Sequence, residues 1–214
     1  MNMNQEMLQE TPTVYVVDDD AAVRDALSLL ISLKGMRAAV FASAADFLAV
    51  YEPGKRGCLL TDLKMPQMNG LELQDELSKR GDTMPVVLLS AHGDVATTRT
   101  ALKNGAVDFL EKPVDDQVLM DVLSNAIRID AERHAHDEKR ARVSGQIERL
   151  TPRERAVLEL LAEGLNHRDI AARLQISPRT VEVYKARMME KLQCRTLADV
   201  VRIGSQLKES TTAH

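Results

Sequence analysis

Apolar residues in the first half of the chain follow two alternating rhythms. Val14-Tyr15-Val16-Val17, Ala38 to Phe41, Cys58-Leu59-Leu60-Thr61, Val86-Val87-Leu88-Leu89 and Val107 to Leu110 are short apolar runs bounded by polar residues, Gly or Pro. Such runs predict strands, the first of them buried. Between them apolar positions recur at helical spacing, as with Val23, Ala26, Leu27, Leu30 and Ile31 inside Ala22 to Leu33. Further helices are predicted over Ala44 to Tyr51, Leu71 to Arg80 and about Val95 to Asn104, with another starting near Asp115. Five repeats of strand then helix predict a parallel sheet with helices on both faces. Ligands of such sheets bind in the crevice beyond the carboxyl ends of the strands.

After Leu123 the pattern changes. Ile129 to Arg149 holds few apolar residues and many charges, and Val122, Ile129, His136 and Val143 form only a single seven-residue seam. A solvated helical linker is the favoured reading over a dimerising coil. His134 and His136 lack a surrounding ligand cluster and are read as solvated too. A new domain opens at Leu150, where Thr151 as N-cap, Pro152 at the first helical position and Glu154 closing a capping box mark a helix start. Asp169 to Leu174 is a short helix and Gln175-Ile176-Ser177 a tight turn. Ser177 then caps a third helix that buries Val181, Tyr184, Met188 and Leu192 and exposes Arg179, Glu182, Lys185, Ala186, Arg187 and Lys191. A short helix, a tight turn and a capped basic helix is the helix-turn-helix layout, whose last helix enters the major groove.

Charge sharpens this division. Met1 to Asp130 carries 12 basic against 20 acidic residues, and Ala131 to His214 carries 16 against 12. An acidic front and a basic back fit a cation or phosphoryl site followed by a polyanion-binding module. Aromatics are 3% of the chain with no Trp, which argues against stacking platforms for single-stranded nucleic acid. No apolar run approaches the roughly 20 residues that span a bilayer. The polar stretch Met1 to Glu10 does not read as a signal peptide, and Cys58 and Cys194 form no CxxC pair. The expectation is a cytoplasmic protein without a membrane partner, divided into a flexible tail (1–10), an α/β domain (11–127), a helical linker (128–148) and an all-α domain (149–214).

Candidate chemistry falls at predicted strand ends. Asp18 and Asp19 follow the first strand, Asp62 ends the third, Ser90 the fourth, and Lys112 follows the fifth. In a sheet ordered 2-1-3-4-5 the first and third strands are neighbours, so the acids converge. Crowded carboxylates repel one another unless a cation neutralises them, and Mg²⁺ (or Mn²⁺) suits a few carboxylates plus phosphate oxygens. A carboxylate nucleophile, a divalent ion, a hydroxyl and an ammonium together fit phosphoryl transfer to an aspartate. Asp20, ahead of Ala21, reads as a helix N-cap.

Val16-Val17-Asp18-Asp19-Asp20, Thr61-Asp62-Leu63-Lys64-Met65-Pro66-Gln67-Met68-Asn69-Gly70, Ser90-Ala91-His92-Gly93 and Phe109-Leu110-Glu111-Lys112-Pro113 resemble a response-regulator receiver domain over roughly Pro12 to Ile127. The resemblance implies a flavodoxin-like, doubly wound sheet with Asp62 as phosphoacceptor. It implies Mg²⁺ held by Asp18, Asp19, Asp62 and the Lys64 carbonyl, and a cis Lys112–Pro113 peptide. It also implies a switch through Ser90, Lys112 and Phe109, and a dimerisation face including Val95, Thr98, Ala101, Leu102 and Phe109. Leu150 to Glu154, Gly164 to Ala171 and Ser177 to Tyr184 resemble the LuxR-type DNA-binding domain, and the whole chain is similar to the FixJ branch of the FixJ/NarL regulators. That resemblance places Glu182, Val183 and Ala186 at base edges and Arg168, Arg179, Thr180, Lys185, Arg187 and Lys191 at phosphates. Tyr184 and His167 depart from the family pattern, where His and Asn are common.

The implied partners are a sensor histidine kinase, double-stranded promoter DNA, a second copy when phosphorylated, and RNA polymerase. The implied role is regulation of transcription by activation, without turnover of a separate substrate. Three rivals remain: an aspartate-nucleophile phosphatase, a LuxR-type regulator not controlled by phosphorylation, and a receiver with a protein-binding helical output. The first needs an acid two residues after the nucleophile, where Lys64 stands.

Overall fold

The structure, a computed structural model, describes residues 11–91 and 95–212, without the side chains of 95 and 205–212. The expected tail (1–10) and the His92-Gly93 pair lie outside the described residues. Strands β1 (Thr13–Val17), β2 (Arg37–Phe41), β3 (Gly57–Asp62), β4 (Val86–Ser90) and β5 (Asp108–Glu111) alternate with helices α1 (Ala21–Leu33), α2 (Ala44–Val50), α3 (Gly70–Lys79) and α4 (Val95–Lys103). Helix α5 (Asp116–Glu148) follows, then α6 (Pro152–Ala162), α7 (His167–Leu174), α8 (Pro178–Lys191) and α9 (Leu197–Thr212). The chain divides into two compact units, Met1–His134 and Ala135–His214.

The first unit is a five-stranded parallel sheet in the order β2-β1-β3-β4-β5. Side chains of a strand alternate between faces, and the apolar runs supply both. Val14, Val16, Cys58, Leu60, Val87 and Leu89 pack with Leu27 and Ile31 of α1 and Leu119 and Leu123 of α5. Their neighbours Val17, Leu59, Val86 and Leu88 pack with Phe47 of α2, Leu73 of α3 and Ala101 of α4. This is the physical reason the strands read as unbroken apolar runs. The scarce aromatics are concentrated: Tyr15, Phe41, Phe47 and Tyr51 form one cluster, with the Phe47 and Tyr51 rings 4.7 Å apart.

The expected solvated linker needs two corrections. It begins inside one continuous helix, α5, and its first part belongs to the sheet unit. Asp130 there is 2% exposed, not solvated. Its carboxylate accepts from Arg56 Nε at 2.9 Å and meets His134 Nε2 at 3.3 Å. Arg133 donates to the Thr83 carbonyl nearby. Arg56 precedes β3, so this buried pair pins α5 to the amino-terminal end of the sheet, opposite the expected chemistry. Burial, with the Asp130 charge adding to it, pushes the Cys58 thiol up to about 12, which keeps it protonated and inert.

In the second unit the foreseen caps are present. Thr151 and Glu154 form a capping box around Pro152, and Ser177 caps α8 ahead of Pro178. Val157, Leu158, Leu161, Ile170, Val181, Met188, Leu192, Val200 and Ile203 build its core. Helix α9 was not among the expected elements. Thr196 and Asp199 cap it reciprocally, a signal present in the sequence.

Candidate functional site

Two of the expected acids meet at the carboxyl edge of the sheet. Asp18 follows β1 and Asp62 ends the adjacent β3; they are 1% and 7% exposed. The Lys112 ammonium lies between them, 2.7 Å from Asp18 Oδ2 and 2.5 Å from Asp62 Oδ1. Burial works to lower the lysine's pKa, but the two carboxylates outweigh it and hold the ammonium above its ordinary range. The remaining oxygens accept backbone donors, Asp18 Oδ1 from Asp20 N at 2.9 Å and Asp62 Oδ2 from Lys64 N at 2.7 Å. Ser90 ends β4 buried, and its carbonyl accepts from Lys112 N at 2.7 Å. That bond fixes the lysine's strand end beside the serine. The Lys112–Pro113 peptide is cis, as expected.

Asp19 does not join the pair. It is exposed, and among the described residues no three His, Cys, Asp or Glu side chains stand close enough to hold a metal. A pair of carboxylates converging on one positive charge still suits Mg²⁺, which is bound through one or two carboxylates plus phosphate oxygens.

The expected dimerisation face is corrected at Ala101, which is fully buried against the core. Phe109 is half-buried against the same core, Thr98 is half-buried, and Leu102 is 47% exposed. The Val95 side chain lies outside the described residues.

Helices α7 and α8 are joined by Gln175, in the left-handed region at φ 56°, with Ile176 and Ser177. Of the expected DNA-contacting residues, Arg168, Arg179, Glu182, Val183, Ala186 and Arg187 are exposed and Thr180 is half-buried. Val183 is 44% exposed, a large apolar side chain presented to solvent among Arg179, Glu182 and Arg187. Glu182 makes no ion pair among the described residues. Lys185 is half-buried, its Nζ 3.4 Å from His167 Nε2.

Lys191 differs from the others. Its ammonium lies 2.7 Å from Oε2 of Glu154, which is 2% exposed. Burial alone would raise the Glu154 pKa, but Lys191 and the Thr151 backbone and hydroxyl donors hold it below the usual carboxylate range. Lys191 therefore ties α8 to the start of α6, where phosphate contact had been expected. Lys191→Ala strands a buried carboxylate and should cost about 2–3 kcal/mol, read as a lower unfolding midpoint of the C-terminal unit. A depressed carboxylate pKa stabilises above its unfolded value, about 4.3, and the gain is lost as pH falls through the folded value. Acid titration should show that loss in the native chain and a flatter profile in Glu154→Gln.

Comparison with known proteins agrees with both units. Residues 14–124 match the response regulator receiver domain family, and residues 148–203 match the family described as bacterial regulatory proteins, luxR family. The transcriptional regulatory protein FixJ of Azorhizobium caulinodans is 43% identical over 197 residues, covering 92% of this chain and 93% of its own. The structure of the response regulator StyR superposes with a TM-score of 0.83 at 38% identity, covering 92% of this chain and all of that one. Full-length FixJ from B. japonicum superposes with a TM-score of 0.57 at 36% identity, over 92% of this chain and 98% of that one. With a parallel sheet carrying a paired aspartate–lysine edge and a capped helix-turn-helix unit, the chain belongs to the FixJ-like two-component response regulators, a receiver domain followed by a LuxR-type DNA-binding domain that regulates transcription.

Proposed function

We propose that Asp62 accepts a phosphoryl group from a histidine kinase, and that phosphorylation promotes dimerisation and binding to promoter DNA, activating transcription from the cytoplasm. The observation that carries this reading is the Asp62 carboxylate held between Lys112 Nζ and Lys64 N at the strand edge. In the transfer, an Asp62 oxygen forms a bond to phosphorus as the phosphohistidine N–P bond breaks, and the imidazole keeps the electron pair. Lys64 N–H orients the carboxylate, and the Lys112 ammonium is poised to follow the charge onto the phosphoryl oxygens. Ser90, at the adjacent strand end, supplies a hydroxyl to one of those oxygens. Asp18, Asp62, the neighbouring Asp19 and the Lys64 carbonyl would hold Mg²⁺, which supplies charge neutralisation during transfer. The domain is not an enzyme for a separate substrate; it promotes only its own phosphoryl transfer and autodephosphorylation. The switch to DNA binding runs through α4 and Phe109 on β5, and RNA polymerase is the downstream partner.

A donor protein must approach Asp62 closely. Beside the pocket an open, mainly apolar groove of about 860 Å³ runs between α1 and the segment after β5, lined by Ala26, Leu29, Leu30, Leu33, Pro113 and Val114, with Lys112 at its edge. Leu29 and Leu33 are 62% and 75% exposed. This face would receive the kinase. Leu29→Asp should slow transfer from the kinase about tenfold while leaving labelling by acetyl phosphate unchanged.

For the output, the exposed Arg168, Arg179 and Arg187 would neutralise DNA phosphates, while Glu182 and Val183 face base edges, a carboxylate for cytosine N4 and a methyl pair for thymine. The deciding test is a gel shift on promoter fragments with and without acetyl phosphate. Affinity should rise on phosphorylation and fall steeply with salt, and Arg187→Ala should lower the salt slope by about one. Salt-independent binding, or no response to acetyl phosphate, would overturn the reading. No helix among the described residues is long and apolar enough to cross a membrane.

A further inference from the structure

Among the described side chains, helix α4 has the least apolar anchoring of the receiver helices. α1 buries Leu27 and Ile31, α2 buries Ala44 and Phe47, α3 buries Leu73 and Leu77, and α5 buries Leu119, Met120, Leu123 and Ala126. Among the described side chains of α4 only Ala101 is buried, a single methyl. Apolar stabilisation scales with buried area, so this helix is held far less by packing than its neighbours.

Hydrogen bonds from α3 take over. Gln74 is 5% exposed, and its Nε2 donates to the Asn104 carbonyl at 2.9 Å and faces the Ala101 carbonyl at 3.4 Å. Both carbonyls lie at the C-terminal end of α4, where the helix dipole is negative and carbonyls lack partners of their own helix. Only the amide's NH₂ group suits two carbonyl oxygens, which settles the orientation of the carboxamide. The grip is one-sided: the buried Oε1 meets no donor among the described residues. The Ala101 carbonyl also accepts from Ala106 N, so the Asn104 bond is the distinctive tie.

We infer that Gln74 is a positioning residue, a latch from α3 that holds the C-terminal end of α4 and sets how readily that helix shifts. Directional bonds on a lightly packed helix favour two discrete placements over a continuous drift, because a moved helix sacrifices little buried area but breaks the bonds outright. The inference deepens the phosphorylation reading and rests on it: the latch defines the resting state from which phosphorylation at Asp62 moves α4.

The test uses the full-length protein, with amide hydrogen exchange over 96–106 and DNA affinity measured with and without acetyl phosphate. Gln74→Met keeps length and apolar bulk but removes the donors. Loss of one good hydrogen bond changes an equilibrium roughly five- to tenfold, so α4 amides should exchange roughly five- to tenfold faster without acetyl phosphate. The gain in DNA affinity on adding acetyl phosphate should shrink, because the resting protein has already moved part of the way. Gln74→Glu preserves shape, but an ionised carboxylate has no proton for the two carbonyls. It should therefore behave like Gln74→Met at pH 8 and move back toward the native protein near pH 5. If Gln74→Met does not fold, the pH comparison in Gln74→Glu decides alone. Folded variants with native exchange rates in α4 would overturn the latch. Failure of the native protein to take up label from acetyl phosphate would overturn the phosphorylation reading instead, and the exchange measurement on resting protein would still decide the latch.

Discussion

Asp62→Asn should take up no phosphoryl group from acetyl phosphate or from a kinase, a loss of all measurable label, while the protein stays folded. An amide oxygen is too weak a nucleophile to form the acyl phosphate, so the effect is complete rather than graded. The fold survives because the carboxylate's structural partners are replaceable. Lys112 keeps Asp18 at 2.7 Å, and an asparagine oxygen can still accept from Lys64 N. Removing one of two acids that share a single ammonium also relieves repulsion, so the unfolding midpoint should be unchanged or slightly raised. The DNA affinity of this variant should ignore acetyl phosphate. Label incorporation followed on a phosphate-affinity gel checks the first claim, and label at the native level would remove Asp62 from its assigned role.

The second large effect is expected at Gly70. It opens α3 directly below the phosphoacceptor, and its N–H donates to the Leu63 carbonyl at 3.0 Å. A β-carbon there would sit 2.5 Å from the Asp62 carbonyl oxygen and 2.7 Å from Leu88 Cδ2. Leu88 could turn aside, but the backbone carbonyl belongs to a fully buried strand and cannot. Gly70→Ala should therefore destabilise the receiver by about 3 kcal/mol, in the range of overpacked cores, or push α3 away from β3. Because the displaced atoms are those of Asp62 itself, phosphoryl uptake should fall even in the fraction that remains folded. Chemical denaturation alongside labelling separates the two contributions. Native stability in Gly70→Ala would mean that α3 enters at a different depth.

The legible part of the molecule was the part written locally. The inner strands β1, β3 and β4 appear as unbroken apolar runs because helices cover each side of the sheet, whereas the edge strand β2 leaves Val40 44% exposed. Asp20, Thr151 and Ser177 cap helices as their spacing predicts, since a cap involves neighbours only two or three residues away. Asp18, Asp62, Ser90 and Lys112 fall at strand ends, so their convergence follows once the strand order is known. Helix α9 has a legible start of the same local kind, at Thr196 and Asp199.

By itself, then, the sequence determined the order and type of the elements, the two-unit division and the residue types at the sheet edge, because periodicity and capping act over a few residues. Tertiary structure alone decided the pairings. Lys112 meets an acid 94 residues away and another 50 away, Arg56 meets Asp130 across 74, and Lys191 meets Glu154 across 37. Which of several charged side chains is buried with which partner depends on how faces meet in space, and a buried charge has to be neutralised where it lies. The way the faces meet also buries Asp130 and Ala101 in the interior and sets Gln74 under the end of α4.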